Sequence, residues 1–310
     1  MSLNPRSLAR AMPGSIAQGM IWGVMALGVY ITFRLLDFAD LTVDGSIATG
    51  AAVSVMLIRA GVSPIATLPI AFLAGALAGM VTGLLNTALG IPGILASILT
   101  QISLYSINLN IMGKANQPVS VDNYPLVVSL RYVTDGSVSR LLFFLGMIVF
   151  LLALIAVMYW YFGTEQGHAI RATGCNSNMA RAQGINTNFI KVLALMISNG
   201  LVGLCGALYG QFQGASDVNM GRGAIVIGLA AVIIGEVLFG KFASKRKLAF
   251  AFTLASVILG AVIYYMVYQF VLWLKMPSED MKLFSAIVVA IFLAIPYLKE
   301  KRTLRKGASK

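Results

Sequence analysis

The clearest chemical pattern in this chain is the glycine-rich stretch Gly235-Glu-Val-Leu-Phe-Gly240-Lys241-Phe242. A phosphate-binding loop has this glycine and lysine spacing, but it needs Ser or Thr after the lysine to hold a magnesium ion. Such a loop also follows a strand and opens a helix, whereas this stretch closes an apolar run. We therefore interpret it as a helix end with a cytoplasmic lysine, and we expect the chain not to bind ATP by itself.

Glu236 is a carboxylate well inside an apolar run. Charged groups in a membrane are costly and face the protein interior or a water-filled space. Glu236 is therefore a candidate gate or pathway residue. The alternative, which we favour, is a structural ion pair or hydrogen bond between helices, for example with Lys241.

Asp44 stands just before the second apolar run. An aspartate in this position can cap a helix by accepting hydrogen bonds from its free backbone N–H groups. Capping would also fix a half-helix beside a pathway, so Asp44 is a second candidate pathway residue. Asp37 and Asp40 lie close by, but the spacing matches no metal-ligand pattern, and we expect no metal site.

Amide and hydroxyl side chains form the third set of candidates. An amide that faces lipid would lack hydrogen-bond partners, so these side chains should point inward. Some would join helices and others would line a passage for a polar solute, and the sequence does not separate the two roles. The candidate pathway residues of this type are Asn86, Gln101, Asn108 and Asn199.

The usual catalytic constellations are missing from the sequence. The single histidine, His168, begins a loop, and there is no Cys/His cluster, Ser-His-Asp set or pair of intramembrane carboxylates. A membrane enzyme would need one of these arrangements. We expect the chain to be no enzyme and to carry no cofactor.

The composition indicates the environment of the chain. Hydrophobic residues make up 58% and charged residues 11%, whereas a soluble domain has about a quarter of its residues charged. The surface must therefore face membrane lipid. A net charge of +12 would suggest nucleic acid in a soluble protein, but here the basic residues collect in loops, so we expect no nucleic-acid partner. Cys175 and Cys205 form no disulfide or metal framework.

These observations predict an all-α membrane protein, a polytopic helix bundle. A spanning helix needs roughly 20 mostly apolar residues, and about nine runs (eight to ten) qualify or come close. The runs are 16–38, 45–60, 64–87, 92–112, 140–162, 188–212, 223–240, 248–274 and 282–297. Residues 1–15 form an N-terminal segment, 16–297 the transmembrane domain and 298–310 a basic cytoplasmic tail.

Basic residues set the predicted orientation. The tail after Pro296 and the loop after Gly240 are rich in Lys and Arg, which places both in the cytoplasm. Counting back puts 163–187 in the cytoplasm, 113–139 outside and the N-terminus outside. If 1–15 lies on the membrane surface or 45–60 is re-entrant, this count changes.

The sequence contains a faint repeat and two glycine series. Gly45-x-Ile47-x-x-Gly50-x-Ala52 reappears as Gly223-x-Ile225-x-x-Gly228-x-Ala230. The two copies should run in opposite directions, as in the inverted repeats of transporters, although so short a match also arises by chance. Glycines at three- or four-residue spacing predict close-packing helix faces. They are Gly75, Gly79 and Gly83, and Gly200, Gly203, Gly206 and Gly210.

The polar loop 163–187 separates two long apolar runs. Gly174 and Gly184 bracket about ten residues that can form a helix, which Asn176 or Ser177 could cap and Gly184 could end. Such a helix, carrying small and apolar side chains with arginines, suits a groove on a soluble partner. The alternative is an interfacial helix on lipid headgroups, which the scarcity of large apolar residues disfavours.

The loop pattern Arg171-Ala-x-Gly-x-Asn176-x-x-x-Ala-Arg181-x-x-Gly-Ile-Asn186 resembles the cytoplasmic loop of permease subunits in ABC importers of the branched-chain amino acid and ribose type. Asp40-Leu-Thr-Val-Asp-Gly-Ser46 resembles a second signature of that family. Gly221-Arg-Gly-Ala, with Ala230-Ala-Val-Ile-Ile-Gly-Glu236, resembles a third. These signatures lie in the expected order within 16–297, and their variants look most like a subgroup linked to uptake of amino acids, including aromatic ones.

The resemblance implies a type II importer permease in a bacterial inner membrane. A second copy or a related permease would complete the pathway, cytoplasmic ATPase subunits would dock on the loop, and an extracytoplasmic binding protein would deliver the solute. The implied ATPase-coupling residues are Arg171, Ala172, Gly174, Asn176, Met179, Ala180, Arg181 and Gly184. Compared with the sugar transporters of the family that it resembles, we expect the chain to lack their extra first helix. The main alternative is a self-contained secondary transporter or channel, for which Glu236 would be the ion-site candidate.

Overall fold

The computed structural model describes residues 5–134, 137–243 and 248–274, together with 283, 287, 290 and 294. Within these ranges the chain is helical except for loops and one short pair of strands, as the prediction of an all-α bundle requires. The helices are α1 (Pro5–Tyr30), α2 (Val43–Arg59), α3 (Pro64–Thr87), α4 (Gly93–Met112), α5 (Leu130–Thr134), α6 (Ser137–Phe162), α7 (Glu165–Cys175), α8 (Ser177–Ala182), α9 (Thr187–Gln213), α10 (Ala224–Ala243) and α11 (Ala249–Trp273). The strands are β1 (Asn116–Pro118) and β2 (Ala215–Asp217).

Six helices of the described residues are long and apolar enough to cross a membrane, so the chain is a multi-pass membrane protein. They are Ser7–Leu35, Pro64–Thr87, Gly93–Met112, Val138–Phe162, Thr187–Gln213 and Ala249–Trp273. Two of the remaining predicted runs form shorter helices, since α2 has 17 residues and the apolar part of α10 is Ala224–Gly240. Run 282–297 and the basic tail 298–310 lie outside the described residues.

The first helix begins earlier than its apolar run. Helix α1 starts at Pro5, before the predicted run 16–38, and continues as a π-helix over Ile31–Leu35. That end packs against α7, since the carbonyl oxygen of Leu35 lies against Gly174. The beginning of α1 borders a cavity lined by α5 and the start of α6. The N-terminal end of α1 therefore lies on the face opposite the α7–α8 loop.

Helix α9 is the centre of the bundle and packs against α1, α2 and α3. The predicted glycine faces form this contact. A Cβ on Gly75 would stand 2.2 Å from the carbonyl oxygen of Asn199, and one on Gly206 would stand 2.0 Å from that of Ile47. Small residues let helix backbones approach this closely, so the glycines set the distance of α3 and α2 from α9.

The two strands lie in the connections that follow α4 and α9, and they pair on the face opposite α7. Strands β1 and β2 pair antiparallel, with Gln117 opposite Ser216. The guanidinium of Arg59, at the end of α2, donates a hydrogen bond to the amide oxygen of Gln117. This contact fixes the end of α2 at the strand pair, next to the segment that leads into α10.

Candidate functional site

The loop between α6 and α9 forms two short helices instead of the single one predicted. Asn176, in extended conformation, separates α7 from α8. Its Oδ1 accepts hydrogen bonds from the N–H groups of Asn178 (3.1 Å) and Met179 (3.0 Å), so the predicted cap is present. Gly184 has φ of +83° and follows α8, as expected for a left-handed helix end. Gly174 does not bracket the helix, because it lies inside α7.

One set of the predicted coupling residues anchors the loop to the transmembrane helices. The Arg171 guanidinium lies 4.2 Å from the ring centroid of Phe250 in α11, and 5.8 Å from that of Phe162 in α6. Gly174 lies against Leu35. Ala172 is half-buried beside Arg171. The loop is therefore held against the ends of α1, α6 and α11.

Three other coupling residues, Met179, Ala180 and Arg181, belong to α8 itself. Ala180 is buried on the inner side of this helix, whereas Met179 is 63% exposed and Arg181 is exposed. The Arg181 side chain donates a hydrogen bond to Thr187 Oγ1 at 3.2 Å, which ties α8 to the start of α9. Helix α8 thus presents a large apolar side chain outward from a fixed base.

Asn199 lies in a buried polar cluster near the middle of α9. Its Nδ2 donates to Asp40 Oδ2 at 2.7 Å, and its Oδ1 accepts from the Ser46 hydroxyl at 2.6 Å. All three side chains are buried. Asn199 therefore joins α9 to the start of α2. Asn86 has a local contact, because its Nδ2 donates to the carbonyl oxygen of Ile91 at 2.8 Å and closes the turn between α3 and α4.

Glu236 forms the interhelical ion pair that the sequence analysis favoured, and its partner is Arg34. The side chain of Lys241 lies outside the described part of the chain. Arg34 Nε donates to Glu236 Oε1 at 2.8 Å. The side chains are 49% and 26% exposed, respectively. Arg34 belongs to the π-helix at the end of α1, so the pair connects that end to α10.

Asp44 caps a different helix from the one expected. It lies inside the first turn of α2, and its carboxylate accepts hydrogen bonds from the N–H groups of Gly223 (2.9 Å) and Ile225 (3.0 Å). These groups open α10, so Asp44 caps α10 and not α2. The prediction was wrong in this respect because residues distant in sequence meet at the two helix starts.

A cavity of about 310 Å³ lies beside these helix starts. It brings together three of the candidate pathway residues, Asp44, Gln101 and Asn108. Asn86, Asn199 and Glu236 are not among its lining residues. The cavity walls also include Gly45, Ile102, Tyr105, Ser106, Val218 and Arg222. Arg222 was not predicted as a site residue, and its place in the Gly221-Arg-Gly-Ala signature was the one available signal.

Asn108 has an unusual environment in this wall. Its side chain is fully buried, and neither Oδ1 nor Nδ2 has a hydrogen-bond partner within the described part of the chain. A buried polar group without a partner costs about 1–3 kcal/mol. The amide therefore lies directly behind the cavity surface with its donor and its acceptor unused.

The exposed faces of α4 and α6 differ in polarity. The exposed large side chains of α6 are mainly aliphatic, as lipid contact requires. Helix α4 instead exposes Ser103, Ser106 and Asn110 beside its apolar residues. Because lipid offers polar groups no hydrogen bonds, the polar strip of α4 should adjoin water or protein.

Comparison with known proteins supplies relatives over most of the chain. A tyrosine transport system permease protein of Clostridioides difficile is 40% identical over 279 residues, which cover 90% of this chain and 89% of the relative. An uncharacterized protein of Rickettsia prowazekii is 31% identical over 284 residues, covering 90% and 95%. An autoinducer 2 import system permease protein, LsrC of Yersinia pseudotuberculosis, is 28% identical over 259 residues, covering 82% and 68%.

No solved structure matches the chain significantly. The family model described as branched-chain amino acid transport system / permease component matches residues 12–296. That range contains α6 to α9, the cavity and every candidate residue discussed above. The chain therefore belongs to the family of permease components of branched-chain amino acid transport systems.

Proposed function

We propose that this chain is the transmembrane permease subunit of an ATP-binding cassette importer in a bacterial inner membrane, and that its solute is an amino acid. The family and the tyrosine transport permease among its relatives support this assignment. One structural observation carries the coupling role. Helix α8 exposes Met179 and Arg181 from a loop that Arg171 and Gly174 hold against three transmembrane helices.

The coupling loop transmits movement because its two sets of residues face different ways. A cytoplasmic ATPase subunit binds the exposed side of α8. Closure of the ATPase dimer on ATP then pushes α7 against the ends of α1, α6 and α11, and the bundle rocks between its two access states. The ATP is bound and hydrolysed by that separate subunit.

The solute pathway passes the cavity that contains Asp44, Gln101 and Asn108. Helices α2 and α10 start beside this cavity, where Asp44 joins them. They then run to opposite faces, α2 to the strand pair and α10 to the end of α1. This arrangement supports an inverted repeat around a central site. The polar strip of α4 supports a second permease copy facing it, and an extracytoplasmic binding protein delivers the solute.

The experiment replaces Met179 and Arg181 with glutamate. Both side chains are exposed, so the double variant should keep its fold although it gives up the hydrogen bond from Arg181 to Thr187, and it should lose its ATPase subunit. Co-purification of the ATPase and uptake of radiolabelled L-tyrosine by whole cells are the measurements. Asn123→Glu, which places one new carboxylate on an exposed residue of the opposite face, should change neither. Full uptake and full ATPase association in M179E/R181E would overturn the coupling role.

The alternative of a self-contained secondary transporter has one observation in its favour. Asp40 is a buried carboxylate, and the hydrogen bonds that it accepts come from neutral groups of Thr42 and Asn199. Secondary transporters use buried carboxylates as ion sites. Purification with native partners separates the two functions: the importer brings an ATPase with it, whereas a secondary transporter takes up solute in vesicles that contain no nucleotide hydrolase.

A further inference from the structure

We propose that the 310 Å³ cavity is the solute-binding site of the permease and that it recognises the zwitterionic backbone of a free amino acid. Arg222 binds the carboxylate and Asp44 binds the ammonium group. The apolar part of the wall, with Ile102, Tyr105 and Val218, takes an apolar or aromatic side chain. This inference rests on the proposed function, and it adds the residues that select the solute.

Arg222 is the cation of the cavity wall. Its side chain is exposed, and no hydrogen bond or ion pair engages its guanidinium within the described ranges. A guanidinium presents planar paired donors that match a carboxylate in bidentate geometry. An arginine without a counter-charge in a membrane protein is costly unless an anion or water meets it. The α-carboxylate of an amino acid supplies that anion.

Asp44 is the anion of the same wall. Each of its two carboxylate oxygens accepts one backbone N–H from the start of α10. An ionised carboxylate has about four acceptor positions. The backbone N–H of Ala224 also acts on this carboxylate, so capacity for one further donor remains for an ammonium group. The backbone contacts also hold the carboxylate in place, which lowers the entropy lost when the solute binds.

The charge balance of the wall selects between solute classes. One cation and one anion line the cavity together. A zwitterion satisfies both charges, whereas a neutral sugar would leave both without a counter-charge and an anion would leave Asp44 unmatched. The volume of about 310 Å³ is at the lower end of the range for small-molecule sites, about 300–1,000 Å³, so the site suits a single small solute.

Asn108 provides a second observation, independent of the two charges, that points to a ligand. Its amide is buried in the cavity wall with both its donor and its acceptor unpaired among the described residues. Both atoms are covered by the cavity wall, so a solute reaches them only when the wall moves. The Nδ2 group can then donate to a carboxylate or hydroxyl of the solute, and Oδ1 can accept from an N–H or O–H group. An amide that served only to join helices would already be bonded, as Asn199 is.

The first test measures uptake of radiolabelled L-tyrosine by cells that express the complete transporter with Arg222→Gln, Arg222→Lys or Asn108→Ala. Loss of a hydrogen bond to a charged group predicts a fall of about tenfold for Arg222→Gln and a smaller fall for Arg222→Lys. ATPase co-purification should not change. The matched control is Arg131→Gln, since that arginine lies outside the cavity and contacts Asp122. Unchanged uptake in both Arg222→Gln and Asn108→Ala would overturn the site.

The second test measures the charge of the cavity without transport. Ser106→Cys is made in a Cys175→Ser background, and its labelling by anionic and cationic water-soluble thiosulfonates is timed in purified complex. Arg222 should favour the anionic reagent, and Arg222→Gln should abolish that preference. L-tyrosine should slow labelling, whereas tyramine and 3-(4-hydroxyphenyl)propionate, which each lack one charged group, should not. Equal slowing by tyramine would overturn the recognition of a zwitterion.

The two tests fail separately from the proposed function. If the wild-type complex takes up L-tyrosine but is neither protected by it nor affected by Arg222→Gln, the site is wrong and the import function stands. If neither L-tyrosine nor any other L-amino acid enters wild-type cells, amino acid import itself is wrong, and the inference is overturned with it.

Discussion

The carboxylate of Asp44, in the first turn of α2, accepts a hydrogen bond from the backbone N–H of Gly223, 2.9 Å away at the start of α10. The first N–H groups of a helix have no partner within the helix. Helix α2 therefore supplies the cap of α10, although 179 residues separate the two positions. A Cβ on Gly221 would stand 1.9 Å from the carbonyl oxygen of Asp44, so the chain before α10 also fits closely against α2.

Removal of this cap should loosen α10. We expect Asp44→Ala to lower the free energy of unfolding by about 1 kcal/mol or more, as for other lost N-caps. The stability of Asp44→Asn should lie between that of wild type and that of Asp44→Ala, because its single amide oxygen can accept only some of the hydrogen bonds from the start of α10. Thermal unfolding of the detergent-purified proteins measures the order of their stabilities. Asp217→Ala, which removes a hydrogen bond within one turn, should cost less; an equal loss would argue against the cap.

The buried cluster around Asn199 makes a second prediction. Asn199→Ala leaves the Asp40 carboxylate with one fewer donor and the Ser46 hydroxyl without its acceptor. Unsatisfied buried groups cost about 1–3 kcal/mol each, and more when charged, so we expect a marked fall in melting temperature and in yield. Asn188→Ala, at an exposed position near the start of the same helix, is the control and should melt with wild type. Equal melting of N199A and wild type would contradict the role of this cluster.

The sequence predicted those features that depend on composition and on local spacing. Apolar length identified the spanning helices, and glycine spacing identified the faces that pack against α9. The cap at Asn176 and the left-handed Gly184 were also predictable, because each depends on its nearest neighbours. The caps depend on contacts within a few residues and the spans on contact with lipid. The glycine spacing predicted that a close-packing face exists but not which helix packs against it.

Long-range partners could not be predicted in the same way. Asp44 was expected to cap its own helix, yet its carboxylate bonds Gly223. The interhelical pair expected for Glu236 is present, but its partner, Arg34, lies 202 residues away in the chain. For the same reason, the sequence could not tell which amide joins helices and which one is left without a partner. Asn108 and Asn199 look alike in sequence, but only the packing of α2 against α4 and α9 leaves one unpaired and bonds the other.

The contact between Gly174 and α1 makes a third prediction. A Cβ on Gly174 would stand 2.0 Å from the carbonyl oxygen of Leu35. Gly174→Ala must therefore displace α7 from the end of α1, at a cost of about 1–3 kcal/mol. We expect lower thermal stability together with reduced solute-stimulated ATP hydrolysis. The comparison is Gly146→Ala in α6, where no atom lies within 4 Å; it should be neutral or stabilising by about 0.5–1 kcal/mol. Similar stability of the two variants would show that the close approach is unimportant.

The Arg34–Glu236 pair should matter more for coupling than for stability. Both side chains are partly exposed, and such pairs contribute about 0.2–1 kcal/mol. Thermal unfolding of Glu236→Gln should therefore stay close to wild type. Arg34 is next to Leu35, which contacts the loop at Gly174, while Glu236 belongs to the helix that starts at the cavity. The pair thus connects the coupling loop with the helix that borders the solute site.

This connection is tested by exchanging the charges. Glu236→Arg and Arg34→Glu should each lower solute-stimulated ATP hydrolysis while the ATPase subunit still co-purifies, because two like charges then face each other across α1 and α10. The double variant R34E/E236R restores the attraction and should recover much of the stimulation. If the double variant is as poor as either single one, the two side chains act independently, and the movement of α7 must reach α10 by another contact.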